Sequence, residues 1–253
     1  MSRLLVFGGT ADSRALTEAL LHREVDITVS VTTGYGASLV PKSDRITLHV
    51  GPLDAADMAA LMVEGRPIAV VDATHPYATE ASRNIRAASR EAGLPCLRLL
   101  RPAGETGGLT AYASVGAAVE ALMETEGAVL AATGSKELDR YTALPDYVGR
   151  VCPRVLPTVD SVARCEALGF GPARIIAMQG PFAYELNLAL MRHYDIRYMV
   201  TKDGGASGGF EAKIDAAHAC GAEVLLVARP PEPDGLLPGD LLAALDTLLE
   251  VKP

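Results

Sequence analysis

Residues 3–20 read RLLVFGGTADSRALTEAL, and this stretch decides the fold. Its first five residues form a short apolar run that ends at Gly8 and Gly9. Apolar residues then recur at helical spacing, at Ala15, Leu16, Ala19 and Leu20. The pattern predicts a strand, a tight turn and a helix in direct succession. Such a strand-turn-helix segment is the opening of a βαβ unit, the building block of Rossmann-like folds.

The same alternation continues through the first half of the chain. Further strands are predicted at Ile27–Thr32, Ile46–Val50, Ile68–Val71 and Cys96–Leu100. Helices are predicted over Ala55–Val63 and over the segment that carries Ala81, Ile85 and Ala88. Strands that are apolar along their whole length are typically buried on both faces. The pattern therefore indicates a parallel sheet that is covered by helices.

A cluster of turn residues marks the predicted domain boundary, at Pro102, Gly104, Gly107 and Gly108. Beyond it, strands are predicted at Ala128–Ala132, Tyr147–Val151, Ala173–Ala177, Ile196–Val200 and Glu223–Val227. The last helix carries one leucine stripe, at Leu241, Leu242, Leu245, Leu248 and Leu249. We therefore predict an α/β protein of two Rossmann-like parallel-sheet domains, residues 1–103 and residues 104–253.

The composition argues against several classes of protein. The 253 residues include 23 Lys and Arg against 31 Asp and Glu, with no basic stripe for nucleic acid. Every apolar stretch is interrupted well before the ~20 residues that a membrane span needs. Asp12 and Arg14 follow the first apolar run too closely for a secretory signal. We therefore expect a cytoplasmic protein with neither nucleic-acid nor membrane partners.

Neither a metal site nor a common hydrolase motif is evident in the sequence. The four cysteines show no metal-ligand spacing, so we expect reduced, partly buried thiols at Cys96, Cys152, Cys165 and Cys220. Residues 205–209, GASGG, have the Gly-x-Ser-x-Gly spacing but lie within a glycine-rich stretch rather than at a strand-to-helix turn. No Gly-x-x-x-x-Gly-Lys-Ser/Thr and no His-Glu-x-x-His occurs. Hydrolase, nucleoside triphosphatase and zinc-peptidase activities therefore lack support.

Gly8-Gly9-Thr10 lies where a Rossmann-like fold binds the phosphates of a dinucleotide. The motif lacks the third glycine of Gly-x-Gly-x-x-Gly, so an ordinary strand-to-helix turn is the alternative. The second strand runs into Thr32, Thr33 and Tyr35, with no carboxylate for a ribose 2′-hydroxyl. A 2′-phosphate would not be repelled there. Its partners would be these three hydroxyls with Arg14 or Lys42, although a loop without a ligand is the alternative.

The segment Asp72–Ala78, DATHPYA, closes the fourth predicted strand. In open α/β sheets, ligands bind beyond the carboxyl ends of the strands. His75 could bind a substrate carboxylate or transfer a proton there, and a structural histidine is the alternative. Thr79, Ser82 and Arg83 are further candidates for the same site.

Three glycine-containing turns follow predicted strands in the second half, at Thr133–Lys136, Gln179–Phe182 and Thr201–Gly209. Together they would surround a pocket with backbone N–H donors and two lysines, Lys136 and Lys202, which predicts an anionic ligand. The stretch Gly204–Gly209 could close as a lid, or be a plain surface loop.

Tyr198 and Lys202 match the Tyr-x-x-x-Lys spacing of short-chain dehydrogenases, but the match is rejected. That motif needs a helix to bring both side chains to one face. Residues 196–202, IRYMVTK, instead indicate a strand, which would separate the two by roughly 13 Å. Tyr198 is therefore predicted in the core, and Lys202 at a strand end.

Five of these segments together resemble the precorrin-6A reductase family of cobalamin biosynthesis. They are GGTADSRAL at 8–16, DATHPYA at 72–78, TGSKEL at 133–138, QGPF at 179–182 and TKDGG at 201–205. The resemblance implies two Rossmann-like halves with a cleft between them, with strands exchanged between the sheets. It also implies NADPH-dependent reduction of one double bond of the precorrin-6A macrocycle, giving precorrin-6B.

The resemblance further implies which residues bind the coenzyme and the substrate. Coenzyme-binding residues would be Gly8, Gly9, Thr10, Arg14, Thr32, Thr33, Tyr35 and Thr74. The carboxylate arms of the tetrapyrrole would contact a set of mostly basic residues and turn residues: His75, Arg83, Lys136, Gly180, Lys202 and Asp203, with Arg140 a further candidate. If a side chain protonates the substrate, the candidates are Tyr77, His75 and Asp203, and solvent is the alternative.

Three rival functions stay open at this stage. A reductase of another polyanion would bind NADPH without oxidising it in the presence of precorrin-6A. A non-catalytic NADP(H)-binding regulator would bind coenzyme without turnover. A methyltransferase would commonly need an acid after the second strand, and the sequence has none there.

Overall fold

The computed structural model describes residues 2–100, 108–204, 209–230 and 234–250, and the chain forms two compact units. The strands are β1 Ser2–Phe7, β2 Val25–Val31, β3 Ile46–Val50, β4 Ala69–Asp72, β5 Cys96–Leu99, β6 Thr110–Tyr112, β7 Ala128–Ala132, β8 Val151–Val155, β9 Ile176–Ala177, β10 Ile196–Lys202, β11 Glu223–Val227 and β12 Gly235–Leu236. The helices are α1 Ala11–Leu20, α2 Gly34–Ser38, α3 Ala55–Gly65, α4 Thr79–Glu91, α5 Val115–Glu120, α6 Tyr147–Arg150, α7 Val159–Ala167, α8 Tyr184–His193, α9 Phe210–Ala219 and α10 Pro238–Glu250.

The first unit is built on a six-stranded parallel sheet in the order β12-β5-β4-β1-β2-β3. Its central strand β1 is buried on both faces. Leu4 and Val6 pack in the core that contains residues of α1 and α10, whereas Leu5 and Phe7 pack with residues of α3 and α4. Successive side chains of a strand point to opposite faces, so an entirely apolar strand needs helices on both sides. The predicted helix-covered parallel sheet is confirmed.

The C-terminal segment returns to this first sheet, and the predicted second domain, residues 104–253, is wrong in that respect. The units are Met1–Pro102 together with Pro230–Pro253, and Ala103–Arg229. Strand β12 pairs with β5, and the Leu100 N–H donates to the Leu236 carbonyl at 2.8 Å. The leucine stripe of α10 buries Leu241 and Leu245 completely in the core beside β1. The leucine stripe in the sequence predicts that one face of the helix is buried, but it does not show against which sheet.

The second unit has its own six-stranded parallel sheet, in the order β6-β11-β10-β7-β8-β9. On one face, Leu130, Met199 and Leu226 of its central strands pack with Met191 of α8 and Ile214 of α9. Each parallel strand is followed by a crossover, so the strands again end at one common edge.

Three sequence predictions for this unit are corrected by the structure. Residues 147–150 form the short helix α6, and the strand begins at Val151. Tyr147 packs outside the sheet: its ring contacts Phe170, and its hydroxyl donates to the Leu168 carbonyl at 2.8 Å. The strand predicted at 173–177 is reduced to Ile176–Ala177 after a 3₁₀ helix that begins at a proline. Tyr198 is half-buried rather than in the buried core.

Candidate active site

Three of the predicted loops of the first unit meet at one edge of its sheet. Strand β1 lies between β2 and β4, and Phe7 is in register with both Ser30 and Asp72. The turn after β1, the loop after β2 and the DATHPYA segment therefore start at the same level. The strand order, which the sequence did not show, is what brings them together.

The first of these loops, Gly8–Thr10, is a capped turn that opens α1. The Thr10 hydroxyl accepts from the Ser13 N–H at 3.0 Å and donates to the Ala73 carbonyl at 3.2 Å, which ties the turn to the DATHPYA segment. The Ser13 hydroxyl accepts from the N–H groups of Gly9 and Thr10, at 3.1 and 3.0 Å. Sequence reasoning missed Ser13; its place as the third residue of the helix after a threonine cap is the available signal.

Gly9 leaves the space above this turn open. Its φ of 105° lies in the region that favours glycine, and no atom lies within 4 Å of where a Cβ would stand. By contrast, a Cβ on Gly8 would meet the Ser13 hydroxyl at 2.9 Å. The turn therefore offers a helix N-terminus with an uncovered backbone, which fits a coenzyme phosphate.

The loop after β2 presents hydroxyl groups and no carboxylate. Thr32 is exposed, as is Tyr35 with 43% of its surface accessible. Thr33 caps the short helix α2 by accepting from the Gly36 N–H at 3.0 Å. Arg14 is half-buried on α1, and Lys42 is exposed.

DATHPYA begins with a buried ion pair that holds its backbone in place. Asp72 and Arg98 are 2% and 5% exposed, and the guanidinium lies 2.8 Å from the carboxylate. The Thr74 hydroxyl donates to the same carboxylate at 2.6 Å, and Arg98 also donates to the Thr74 carbonyl at 3.1 Å. Thr74 is thus bonded within this network and also lies 3.2 Å from the Ser82 hydroxyl. Sequence reasoning missed Arg98, although a lone charge within a strand buried on both faces is a signal that it has an acidic partner.

His75 and Tyr77 lie together after this ion pair. The Tyr77 N–H donates to His75 Nδ1 at 3.3 Å, and the ring centroids are 5.6 Å apart. An accepting Nδ1 places the proton of a neutral imidazole on Nε2, so the exposed His75 side chain presents an N–H donor. Tyr77 is half-buried, and Arg83 is exposed on α4.

The second unit gathers charged side chains where β7, β10 and β11 end. Lys202 closes β10 and forms an ion pair with Glu137, which follows β7. Asp203 is only 4% exposed, and its carboxylate lies 2.9 Å from the guanidinium of Arg229. Arg229 donates to the Asp203 carbonyl as well, at 3.0 Å. A carboxylate held by a guanidinium accepts hydrogen bonds and has no proton to give, so this geometry argues against Asp203 as the acid.

The remaining predicted residues of this unit lie on two turns. Lys136 is exposed, and its carbonyl accepts from Arg164 at 3.0 Å. Gly180 precedes a cis peptide bond to Pro181, and a Cβ on it would meet the Phe182 ring at 3.3 Å. Arg140 is exposed beside Asp139. Of the glycine-rich stretch predicted as a lid or surface loop, residues 205–208 lie outside the described residues.

A family model described as "Precorrin-6x reductase CbiJ/CobK" matches residues 3–250. The chain belongs to the precorrin-6x reductase family. The resemblance seen in the sequence is thereby confirmed, and with it the oxidoreductase class of cobalamin biosynthesis to which these enzymes belong. A reductase of this class implies a nicotinamide coenzyme, and the substrates named for the family are precorrin-type tetrapyrroles.

Relatives of the family are similar along nearly the whole chain. The cobalt-precorrin-6A reductase of Priestia megaterium is 34% identical over 231 residues, which is 90% of each protein. That of Methanothermobacter thermautotrophicus is 35% identical over 90% of this chain and 76% of its own. The precorrin-6A reductase of Rhodococcus erythropolis is 31% identical over 92% and 91%. A solved structure titled "CobK precorrin-6A reductase" matches with a TM-score of 0.78 and 25% identity over 98% of both chains.

Two features are absent from the described parts of the chain, a metal-binding cluster and a membrane-spanning helix. Among these residues, no group of three or more His, Cys, Asp or Glu is placed to hold a metal ion. Within the same residues, no helix has both the length and the apolar character that crossing a bilayer requires.

Proposed function

We propose that this chain is an NADPH-dependent precorrin-6A reductase that reduces one double bond of the macrocycle and gives precorrin-6B. The observation that carries the proposal is the family match over residues 3–250, which spans both units and every motif that the site uses. The edges at which the strands of the two sheets end also support it. The edge of the first sheet has a turn that suits a phosphate, and the edge of the second has several cations.

The proposed coenzyme site is the edge formed by β1, β2 and β4. The open turn at Gly8, Gly9 and Thr10 would receive the pyrophosphate. The hydroxyls of Thr32, Thr33 and Tyr35, together with Arg14, would receive the 2′-phosphate, and no carboxylate in that loop would repel it. Thr74 would act through the backbone that its bond to Asp72 fixes.

Carboxylate arms of the tetrapyrrole would contact cations at the strand ends of either unit. In the second unit these are Lys202 and Lys136, and the turn at Gly180 is a further proposed contact. Asp203 would contribute by orienting Arg229 rather than by touching a carboxylate, since like charges repel. In the first unit, His75 and Arg83 are the exposed candidates.

The reduction needs a hydride and, for a conjugated imine system, a proton. The nicotinamide ring supplies the hydride when the coenzyme is bound. The protein aligns the two reactants and excludes water. His75, through its Nε2–H, and Tyr77, through its hydroxyl, are the proposed proton donors, and solvent is the alternative.

We expect the purified protein to oxidise NADPH when precorrin-6A is added, with much slower oxidation of NADH. The measurement is loss of the reduced-coenzyme absorbance, with each coenzyme and with cobalt-precorrin-6A beside the metal-free substrate. Equal rates with NADH would contradict the proposed 2′-phosphate contacts. Binding of NADPH without oxidation by either tetrapyrrole would contradict the proposed function.

Lys202→Ala is expected to raise the KM for precorrin-6A by about 10-fold or more, with little change in kcat, because a charge-assisted hydrogen bond to substrate is lost. Steady-state kinetics with saturating NADPH measure the effect. Since Lys202 also pairs with Glu137, the Glu137→Gln variant is the control that removes this pair and leaves the lysine. An unchanged KM in Lys202→Ala would remove this residue from the substrate site.

A further inference from the structure

Lys213, on α9, is a buried lysine, and no carboxylate of the described residues forms an ion pair with it. It is 7% exposed, and its ammonium is 3.5 Å from the Lys202 carbonyl and 5.5 Å from the centre of the Phe210 ring. Among the residues that the structure describes, no carboxylate lies within ion-pair distance of it. Burial and the nearby charge of Arg154 lower its pKa to about 8, against a smaller opposing effect of Asp203.

Arg154, on β8, is the second cation of this region. Its guanidinium donates to the Asn187 side-chain carbonyl at 2.8 Å and lies 4.7 Å from the centre of the Phe182 ring. No carboxylate in the described part of the chain pairs with it, and burial lowers its pKa to about 10. Asn187 is itself 1% exposed, and its amide group donates to the carbonyls of Phe182 and Ala183. Both ends of the Asn187 side chain are thus bonded, which fixes the direction of the guanidinium.

Both cations lie at the ligand-binding edge of the second sheet. Pro153 is in register with Ala131, and Ala131 with Val200, so Arg154 stands level with the last residues of β10. It lies two residues after Cys152, which packs in the core with α8 and α9, and therefore points to the same face. The turn of Phe182 reaches α9 as well, because a Cβ on Gly209 would meet Pro181 at 3.1 Å.

Among the described residues, neither cation has a carboxylate partner. Lys213 is buried and Arg154 half-buried, so their repulsion is only partly screened by solvent, and a buried charge without a counter-charge destabilises a protein. An apolar residue at position 213 would avoid this destabilisation, yet the chain has a lysine there. Arg154 is near enough to Lys213 for its charge to lower the pKa of the lysine, so one bound carboxylate would supply the missing negative charge to both.

We propose that Arg154 and Lys213 form a carboxylate-binding site that takes one acidic arm of the tetrapyrrole. The inference rests on the proposed function and adds two residues that none of the sequence motifs contains. It differs from the Lys202 contact, because Lys202 already has Glu137 as its partner. Asn187 is a positioning residue of this site.

The kinetic test replaces each cation by a residue of similar length. Lys213→Met and Arg154→Met are each expected to raise the KM for precorrin-6A by about 10- to 100-fold, the loss of a charge-assisted hydrogen bond, and to leave the KM for NADPH unchanged. The double variant is expected to be less impaired than the product of the two single effects, since both groups bind one carboxylate. Arg197→Met is the matched control, because Arg197 is an exposed cation near the opposite end of β10.

Thermal unfolding separates this role from a structural one. Lys213→Met is expected to raise the Tm of the ligand-free protein while it weakens substrate binding. A lowered Tm with unchanged KM would overturn the site and make Lys213 a structural residue. If the variants raised only the KM for NADPH, the two cations would bind the coenzyme rather than the substrate. Wild-type protein that does not turn over precorrin-6A would refute the proposed function, whereas active wild type with an unaffected Lys213→Met variant would refute only this inference.

Discussion

Arg98→Met is expected to lower the free energy of unfolding by about 3–5 kcal/mol, because it leaves the Asp72 carboxylate buried without its charged partner. The pair is almost inaccessible to solvent, and the Thr74 hydroxyl and carbonyl share its hydrogen bonds. Urea unfolding followed by far-ultraviolet circular dichroism measures the loss. The DATHPYA segment depends on the same bonds, so the variant is also expected to lose activity at temperatures where it is still folded.

Two further variants test the cause of that loss. Asp72→Asn combined with Arg98→Met removes both charges and is expected to recover part of the stability, since no ion is left unpaired. Arg140→Met breaks an exposed contact with Asp139, for which a loss below about 1 kcal/mol is expected. A single Arg98→Met variant as stable as wild type would show that the buried pair is not what holds this segment.

Gly9→Val is expected to weaken NADPH binding by about 100-fold, because its side chain would occupy the open space above the turn. The positive φ, which costs a valine about 1–3 kcal/mol, also favours a rearrangement of the turn itself. Isothermal titration calorimetry with NADPH measures the Kd. Gly93→Val is the matched control. Gly93 also has a positive φ, 67°, and open space around it, but it follows α4. The control is expected to lose stability and to bind NADPH normally.

Equal Kd values for Gly9→Val and wild type would place the coenzyme phosphates elsewhere. If Gly9→Val and Gly93→Val lost NADPH affinity equally, the cause would be general backbone strain rather than a change at the turn after β1. The Gly9 and Thr10 N–H groups are already bonded to the Ser13 hydroxyl. A phosphate would therefore approach the uncovered backbone around Gly9, which a valine side chain would block.

The sequence by itself determined the fold class and the family. Uniformly apolar strand segments such as residues 4–7 and 68–71 can be buried only in a sheet covered on both faces, and the structure has that sheet. The order of the motifs from GGT to TKDGG was sufficient to indicate the reductase family. Local chemistry also showed where ligands can bind, because glycine turns and polar residues after strands mark one edge of a parallel sheet.

Only the tertiary structure decided which sheet the C-terminal helix covers and which charges are paired. The leucine stripe of α10 fits any apolar face, and it packs on the first sheet because β12 pairs with β5. Arg98, Lys213 and Arg154 carry no motif, and the sequence does not identify the residues that they contact. Arg98 and Arg154 bond to residues 26 and 33 positions away, and Lys213 has no carboxylate partner among the described residues. Contacts between distant residues arise only when the chain folds.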